Sequence, residues 1–135
     1  MNRTQDWLEQ ARRDLEHARQ SIGLEHFEWA CFAAQQAAEK AVKALHLHLG
    51  TAAWGHSVFE LLHGLPSDLC PETELLDRGK VLDRFYIPSR YANAHPSGPP
   101  YRYYIRTDAE QAVAAGQEVI EYCERQILPT GPGAD

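Results

Sequence analysis

The chain has 135 residues, a formal charge of −6 and 44% hydrophobic residues, which suits one domain that buries an ordinary core without disulfides or metal. The acidic balance argues against a protein that coats nucleic acid with its whole surface, because phosphate contacts need Lys and Arg where the polyanion lies. Three widely spaced cysteines without a C-x-x-C pair argue against a disulfide framework or a cysteine zinc site and indicate reduced, mostly buried thiols.

The N-terminal stretch MNRTQDWLEQARRD is charged and has no apolar signal core. No apolar run in the sequence approaches the length that a membrane-spanning helix needs. We therefore expect a cytoplasmic protein with no membrane segment.

The first two predicted helices are long and amphipathic. Residues 4–22 carry apolar side chains at three- and four-residue steps, and Gly23 ends this pattern. Residues 25–49 carry a broad apolar stripe that Gly50 closes, and the alanine-rich stretch AAQQAAEKAVKA favours helix and lets neighbours approach closely. The second helix is therefore predicted to be central.

Three more helices are predicted downstream, and no strand. A short one follows Ser57, which has capping-box spacing to Glu60. A fourth begins with Pro71 in its first turn and runs toward Pro88. A fifth opens at a capping box of Thr107 with Glu110 and ends near Ile127.

These elements predict an all-α fold, an antiparallel up-and-down bundle of four longer helices plus one short helix. We expect residues 1–128 to form a single helical domain and residues 129–135, with the sequence PTGPGAD from residue 129, to be a flexible tail.

The segment 84–106 differs in charge from the rest of the chain. It contains four arginines, five of the six tyrosines and no acidic residue, so removing its four positive charges from −6 leaves −10 elsewhere. Arginine among aromatic residues suits single-stranded nucleic acid, since guanidinium groups pair with phosphate and tyrosine rings stack on bases. The alternative is a loop that caps the bundle, with snorkelling arginines. The candidate binding residues are Arg84, Tyr91, Tyr101, Arg102, Tyr103, Tyr104 and Arg106.

Arg90 and His95 are the candidate catalytic pair within this segment. Five positions correspond to about 140° around an ideal helix, so a continuous helix would separate them. Pro96 favours extended backbone at His95, which lets the histidine turn off a short helical segment and lie at its edge. A histidine there suits acid-base work. Asn93, one helical turn after Arg90, is a candidate to orient the arginine or a phosphate.

The Arg90 to His95 spacing, with four residues between, resembles the motif of HEPN domains, α-helical bundles of prokaryotic toxin-antitoxin and RNA-cleaving systems. The stretches WLEQARRDLEHA, EWACFAAQQAAEKAVKAL, GHSVFELL and SRY are also similar to bacterial HEPN proteins, in the same order along nearly the whole chain. The resemblance implies a homodimer in which two motifs meet and, in active members, a metal-independent ribonuclease that needs no cofactor.

The resemblance also implies a partner, because many small members are encoded beside a minimal nucleotidyltransferase that acts as antitoxin. In some of these, the partner modifies a tyrosine two residues after the histidine with AMP. Here Ser97 occupies that position, so this chain lacks the tyrosine through which such regulation acts, although Tyr101, Tyr103 and Tyr104 lie near in sequence.

RNA cleavage through the 2′-hydroxyl needs a base, an acid and cationic donors for the phosphate. Because one chain offers one histidine here, a two-fold dimer that joins Arg90 and His95 to their copies would supply both proton-transfer groups. A non-catalytic nucleotide- or RNA-binding partner of a nucleotidyltransferase and a purely structural adaptor are the competing functions.

Acidic residues in the first two helices are secondary candidates. Asp14 lies beside the apolar face, where it either supports the motif or is a helix charge paired with Arg12 or Lys43. The paired or solvated interpretation is favoured for Glu39. The other histidines lack metal-ligand spacing, so no metal site is predicted, and His56 is interpreted as a packing residue.

Overall fold

The computed structural model describes residues 2–128, which are helical with no strand in that range. The α-helices are α1 (Thr4–Gly23), α2 (Phe27–Leu49), α3 (Val58–His63), α4 (Thr73–Asp83) and α5 (Arg106–Ile127). Two 3-10 helices, Ala92–Ala94 and Pro100–Tyr103, lie between α4 and α5. The prediction of an all-α fold with four longer helices and one short helix is confirmed, whereas the tail 129–135 lies outside the described residues.

Helix α2 is the centre of the bundle, as its composition predicts. It packs against both α1 and α5, and α4 packs against α5 and α3. Most of its buried positions are alanines, which bring the neighbouring backbones close. The short link between α1 and α2 makes these two helices antiparallel neighbours.

Three predicted helix starts were wrong by one to two residues. The second helix begins at Phe27 because Glu25 adopts a positive φ of 62° in the preceding turn. Pro71 precedes α4 instead of occupying its first turn, and Glu72 is the N-cap. Helix α5 begins at Arg106, because the carboxylate of Asp108 accepts a hydrogen bond of 3.0 Å from the Ile105 N–H.

Helix α4 also ends earlier than predicted, at Asp83 instead of near Pro88. The Asp83 carboxylate accepts hydrogen bonds from the hydroxyl of Ser57 (2.6 Å) and from the N–H groups of Val58 (2.6 Å) and Phe59 (3.3 Å). One carboxylate therefore caps α3 and fixes the end of α4. The chain that leaves this junction carries the segment 84–106.

None of the helices in residues 2–128 combines the length and apolarity needed to cross a membrane.

Candidate functional site at Arg90 and His95

A turn after α4 places the candidate motif. The hydroxyl of Ser89, 2% exposed, donates to the carbonyl of Phe85 at 2.5 Å and anchors this turn on the bundle. Residues Ala92–Ala94 then form one 3-10 turn, and His95 is extended with φ −122° and ψ 153°. The expectation that Pro96 turns His95 off a short helical segment is therefore confirmed.

The guanidinium of Arg90 is held along one edge by the backbone. Its Nε and Nη2 donate to the carbonyl oxygen of Tyr86 at 3.1 and 2.9 Å. Its plane lies over the rings of Phe32, Tyr86 and Tyr91, with Cζ at 4.1, 5.0 and 4.9 Å from their centroids. Among residues 2–128, the other edge has only a long contact of 3.5 Å, from Nη1 to the Tyr91 hydroxyl, so its N–H groups suit a phosphate or carboxylate.

The imidazole of His95 is also held by backbone from the same turn. Its Nε2 lies 2.6 Å from the carbonyl oxygen of Pro88 and must donate there, because a carbonyl only accepts. The ring stacks on Tyr103 at 4.2 Å and meets the edge of Tyr104 at 6.1 Å. Within residues 2–128, the second nitrogen, Nδ1, makes no hydrogen bond.

Arg90 and His95 thus rest on carbonyls two residues apart in one turn, but no direct contact joins their side chains in the described part of the chain. Asn93 is exposed within the 3-10 turn between them. Its side chain forms no hydrogen bond to either residue in this structure. Its predicted orienting role stays a prediction.

The four candidate tyrosines of the segment differ in their contacts. Tyr91 and Tyr101 are 48% and 58% exposed and present ring surface to solvent. Tyr103 stacks on His95, and its hydroxyl donates to the carbonyl of Ser97. Tyr104 packs inward against Phe85, and burial raises its pKa to about 12.

The remaining arginines of the segment are exposed. Arg84 follows directly after α4, Arg102 lies beside Gly98 in the Pro100–Tyr103 turn, and Arg106 at the start of α5 lies 5.1 Å from the ring centre of Phe27. None of these arginines forms a salt bridge within residues 2–128. Their charges are therefore available to an anion.

The partner of Asp14 and the burial of Glu39 differ from what the sequence predicts. Asp14 pairs with Lys40 of α2 and accepts from Gln10, with no contact to Arg90 or His95 in the structure described. Glu39 is 5% exposed, so the solvated interpretation was wrong, although its predicted partner Lys43 does bind it at 3.0 Å.

His56 is a functional candidate that the sequence interpretation missed. Its Nδ1 lies 3.2 Å from a Glu39 carboxylate oxygen, and its ring stacks on Tyr86 at 4.7 Å and 16°. The side chain is 56% exposed, so it is not a buried packing residue. No sequence spacing links His56 to Arg90, because His56 precedes α3 whereas Tyr86 and Arg90 follow α4, and only packing brings the His56 ring onto Tyr86.

A groove of about 580 Å³ lies elsewhere, between α4 and α5, with Leu75, Arg78, Glu118 and Tyr122 among its lining residues. Residues 84–106 do not contribute to it. Across residues 2–128, no three His, Cys, Asp or Glu side chains come together as a set of metal ligands.

The HEPN domain family matches this chain over residues 4–126. The chain belongs to the HEPN family. This domain is built here from the five helices described above, and the match covers the whole of the Arg90 to His95 segment.

Solved structures agree with the HEPN assignment. TT1696 from Thermus thermophilus is 52% identical with a TM-score of 0.91, covering 93% of this chain and 99% of that one. ST0689, an archaeal HEPN homologue, is 38% identical with a TM-score of 0.81, over 95% and 100% of the two chains. An HEPN domain protein from Thermotoga maritima, tm0613, is 40% identical with a TM-score of 0.71, over 89% and 95%. A comparison with curated proteins gave no match.

Proposed function

We propose that this HEPN protein is a metal-independent ribonuclease, the toxin or RNA-processing component of a toxin-antitoxin-like system, with Arg90 and His95 from two chains forming a composite site. The observation that carries the proposal is the common support of the two residues. Both are held by carbonyls of one turn, which leaves one guanidinium edge and one imidazole nitrogen for a ligand.

The two groups suit the chemistry of 2′-hydroxyl attack. The 2′-hydroxyl proton passes to an imidazole, the 2′-oxygen bonds to phosphorus, and the 5′-oxygen leaves with a proton from a second imidazole. The guanidinium edge of Arg90 would hold the phosphate oxygens as charge develops on them. The products are a 2′,3′-cyclic phosphate and a 5′-hydroxyl.

A second copy of the chain is the proposed source of the second motif. Three exposed apolar side chains lie around Arg90. Trp29 (48% exposed) packs against Phe32, which lies under the Arg90 guanidinium, and Ile87 (46%) and Tyr91 (48%) are neighbours of Arg90 in sequence. Exposed large apolar side chains concentrated in one area are typical of an interface. A symmetric dimer that covers them would bring the motifs together, and light scattering at micromolar concentration tests this.

The test of the proposed function is cleavage of single-stranded RNA in EDTA, followed by analysis of the ends. We expect cyclic phosphate and 5′-hydroxyl ends, and resistance of RNA with a 2′-methoxy group at the cut position. His95→Ala should lower the rate by about 10²–10⁴-fold, whereas His48→Ala, an exposed histidine on α2, should not. Full cleavage by His95→Ala would refute the assignment.

The second candidate is a non-catalytic nucleotide- or RNA-binding HEPN module that partners a minimal nucleotidyltransferase antitoxin. This candidate is favoured by the exposed rings of Tyr91 and Tyr101 and by the exposed guanidinium groups of Arg84, Arg102 and Arg106, since these can bind a nucleotide without any chemistry. Failure of the unmodified protein to cut several RNAs, together with retained RNA binding, would favour this candidate. A nucleotidyltransferase gene beside this one would support the pairing.

A further inference from the structure

We propose that His56, held by Glu39, is a second proton-transfer group of the site and acts on the 2′-hydroxyl as the base. This inference rests on the proposed ribonuclease function and deepens it. It differs from a site in which only the two copies of His95 transfer protons, because each chain then carries two imidazoles.

The first support is the fixed orientation of the His56 ring. Its Nδ1 lies 3.2 and 3.3 Å from the two carboxylate oxygens of Glu39. A carboxylate accepts hydrogen bonds, so Nδ1 carries the proton and the neutral ring has its lone pair on Nε2. Nε2 makes no hydrogen bond in residues 2–128, and 56% of the side chain is exposed. A base must present such an atom to its substrate.

The second support is that Glu39 itself is firmly placed. It is 5% exposed on the central helix, and it also accepts from Gln35 (3.1 Å) and Lys43 (3.0 Å). Gln35, fully buried, donates to the backbone carbonyl of His56 at 2.9 Å as well. The carboxylate can therefore orient the imidazole and stabilise the imidazolium that forms when the ring takes a proton.

The third support is that His56 and Arg90 share Tyr86 as a neighbour. The His56 ring stacks on Tyr86 at 4.7 Å, and the Arg90 guanidinium lies 5.0 Å from the centre of the same ring. The carbonyl of Tyr86 also holds the guanidinium edge. Tyr86 therefore supports both groups, and the proposed role of His56 requires that a phosphate bound by Arg90 lies within reach of the His56 imidazole.

The proposed step conserves protons and electron pairs. Nε2 of His56 accepts the 2′-hydroxyl proton while the 2′-oxygen forms its bond to phosphorus. The bond from phosphorus to the 5′-oxygen breaks, and the protonated imidazole of His95 gives its proton to that oxygen. His56 ends protonated and His95 neutral, so solvent must exchange one proton with each before the next turnover.

The experiment compares His56→Phe and His56→Asn with the unmodified protein, in EDTA, on the same RNA. Phenylalanine keeps a ring on Tyr86 but removes both nitrogens, whereas asparagine keeps a donor for Glu39 but removes the outer nitrogen. We expect kcat to fall by about tenfold or more in both variants, with KM changed by less than about threefold. The matched control is His63→Phe, because the His63 ring stacks on a different ring, that of Phe59 in α3, at 5.6 Å.

The possible outcomes distinguish the role of His56 from the ribonuclease function. RNA cleavage by the unmodified protein with near-normal kcat in His56→Phe would overturn the role of His56 and leave the ribonuclease function intact. No cleavage by the unmodified protein would overturn both. Nitrogen-15 NMR of the unmodified protein needs no variant: the neutral His56 ring should carry its proton on Nδ1, and a proton on Nε2 would overturn the inference.

Discussion

His95 donates a hydrogen bond of 2.6 Å from Nε2 to the carbonyl oxygen of Pro88. This contact fixes which nitrogen faces the backbone, so Nδ1 is the atom that can exchange a proton with a ligand. Tyr103 stacks on the same ring and binds the backbone of Ser97 through its hydroxyl. The histidine of the motif is therefore oriented by the residues around it before any substrate arrives.

Arg90→Lys is expected to lower cleavage by about 10- to 100-fold, with little change in helix content. An ammonium group cannot bind the Tyr86 carbonyl through one edge and a phosphate through the other. Initial rates and circular dichroism measure the two effects. Arg13→Lys, at an exposed position on α1, is the control. Equal cleavage rates for Arg90→Lys and the unmodified protein would contradict the role of the two guanidinium edges of Arg90.

Replacing Arg102 and Arg106 together by Ala is expected to weaken binding of single-stranded RNA without loss of fold, because both side chains are exposed. If each of the two arginines contacts one phosphate, the negative slope of log affinity against log salt concentration should become shallower by about 1.4. Fluorescence anisotropy at several salt concentrations measures this slope. Arg13 and Arg125, both exposed outside the segment, supply a double variant of equal charge, and an equal loss in that control would mean that net charge alone governs binding.

Gly79→Ala is expected to destabilise the protein by about 1–2 kcal/mol. Helix propensity alone would favour alanine by about 1 kcal/mol, but a Cβ at this position would lie 2.9 Å from the Phe59 nitrogen and 3.0 Å from its Cα. Backbone atoms cannot move aside as a side-chain end can, so overpacking dominates. Urea unfolding measures the change. Gly23→Ala, where a Cβ meets nothing within 4 Å, should be neutral or stabilising.

The stability of the protein should fall in alkaline solution as buried phenol and thiol groups ionise. Burial raises the pKa of Tyr104 from 10.0 to about 12 and that of Cys31 from 9.0 to about 12. Each group therefore contributes stability below its unfolded pKa, and this contribution is lost as pH rises through the interval to its folded pKa.

The test of this pH dependence is the Tyr104→Phe variant. Its free energy of unfolding should fall less steeply between about pH 10 and 12 than that of the unmodified protein. Tyr101→Phe is the control, because Tyr101 is 58% exposed. Parallel curves for Tyr104→Phe and the unmodified protein would show that burial of Tyr104 contributes nothing to the alkaline loss.

The sequence by itself determined the all-α class, the central place of α2 and the extended backbone of His95 before Pro96. These properties depend on spacing along one helix or on one neighbouring residue, so they can be predicted locally. The end of α4 and the start of α5 depended on carboxylates that reach a distant or unexpected N–H group. Asp83 caps α3 across 25 residues, and no pattern along the chain specifies such a contact.

The candidate site also combines residues that the sequence could identify with contacts that only the tertiary structure creates. Sequence spacing selected Arg90 and His95, whereas the exposure of Tyr91 and Tyr101 was decided by the fold. Only the tertiary structure brought Glu39 and His56 together and placed the His56 ring on Tyr86, the residue whose carbonyl and ring hold Arg90. A buried carboxylate and a stacked imidazole are created by packing between helices, and the surroundings of a side chain cannot be read from its position in the sequence.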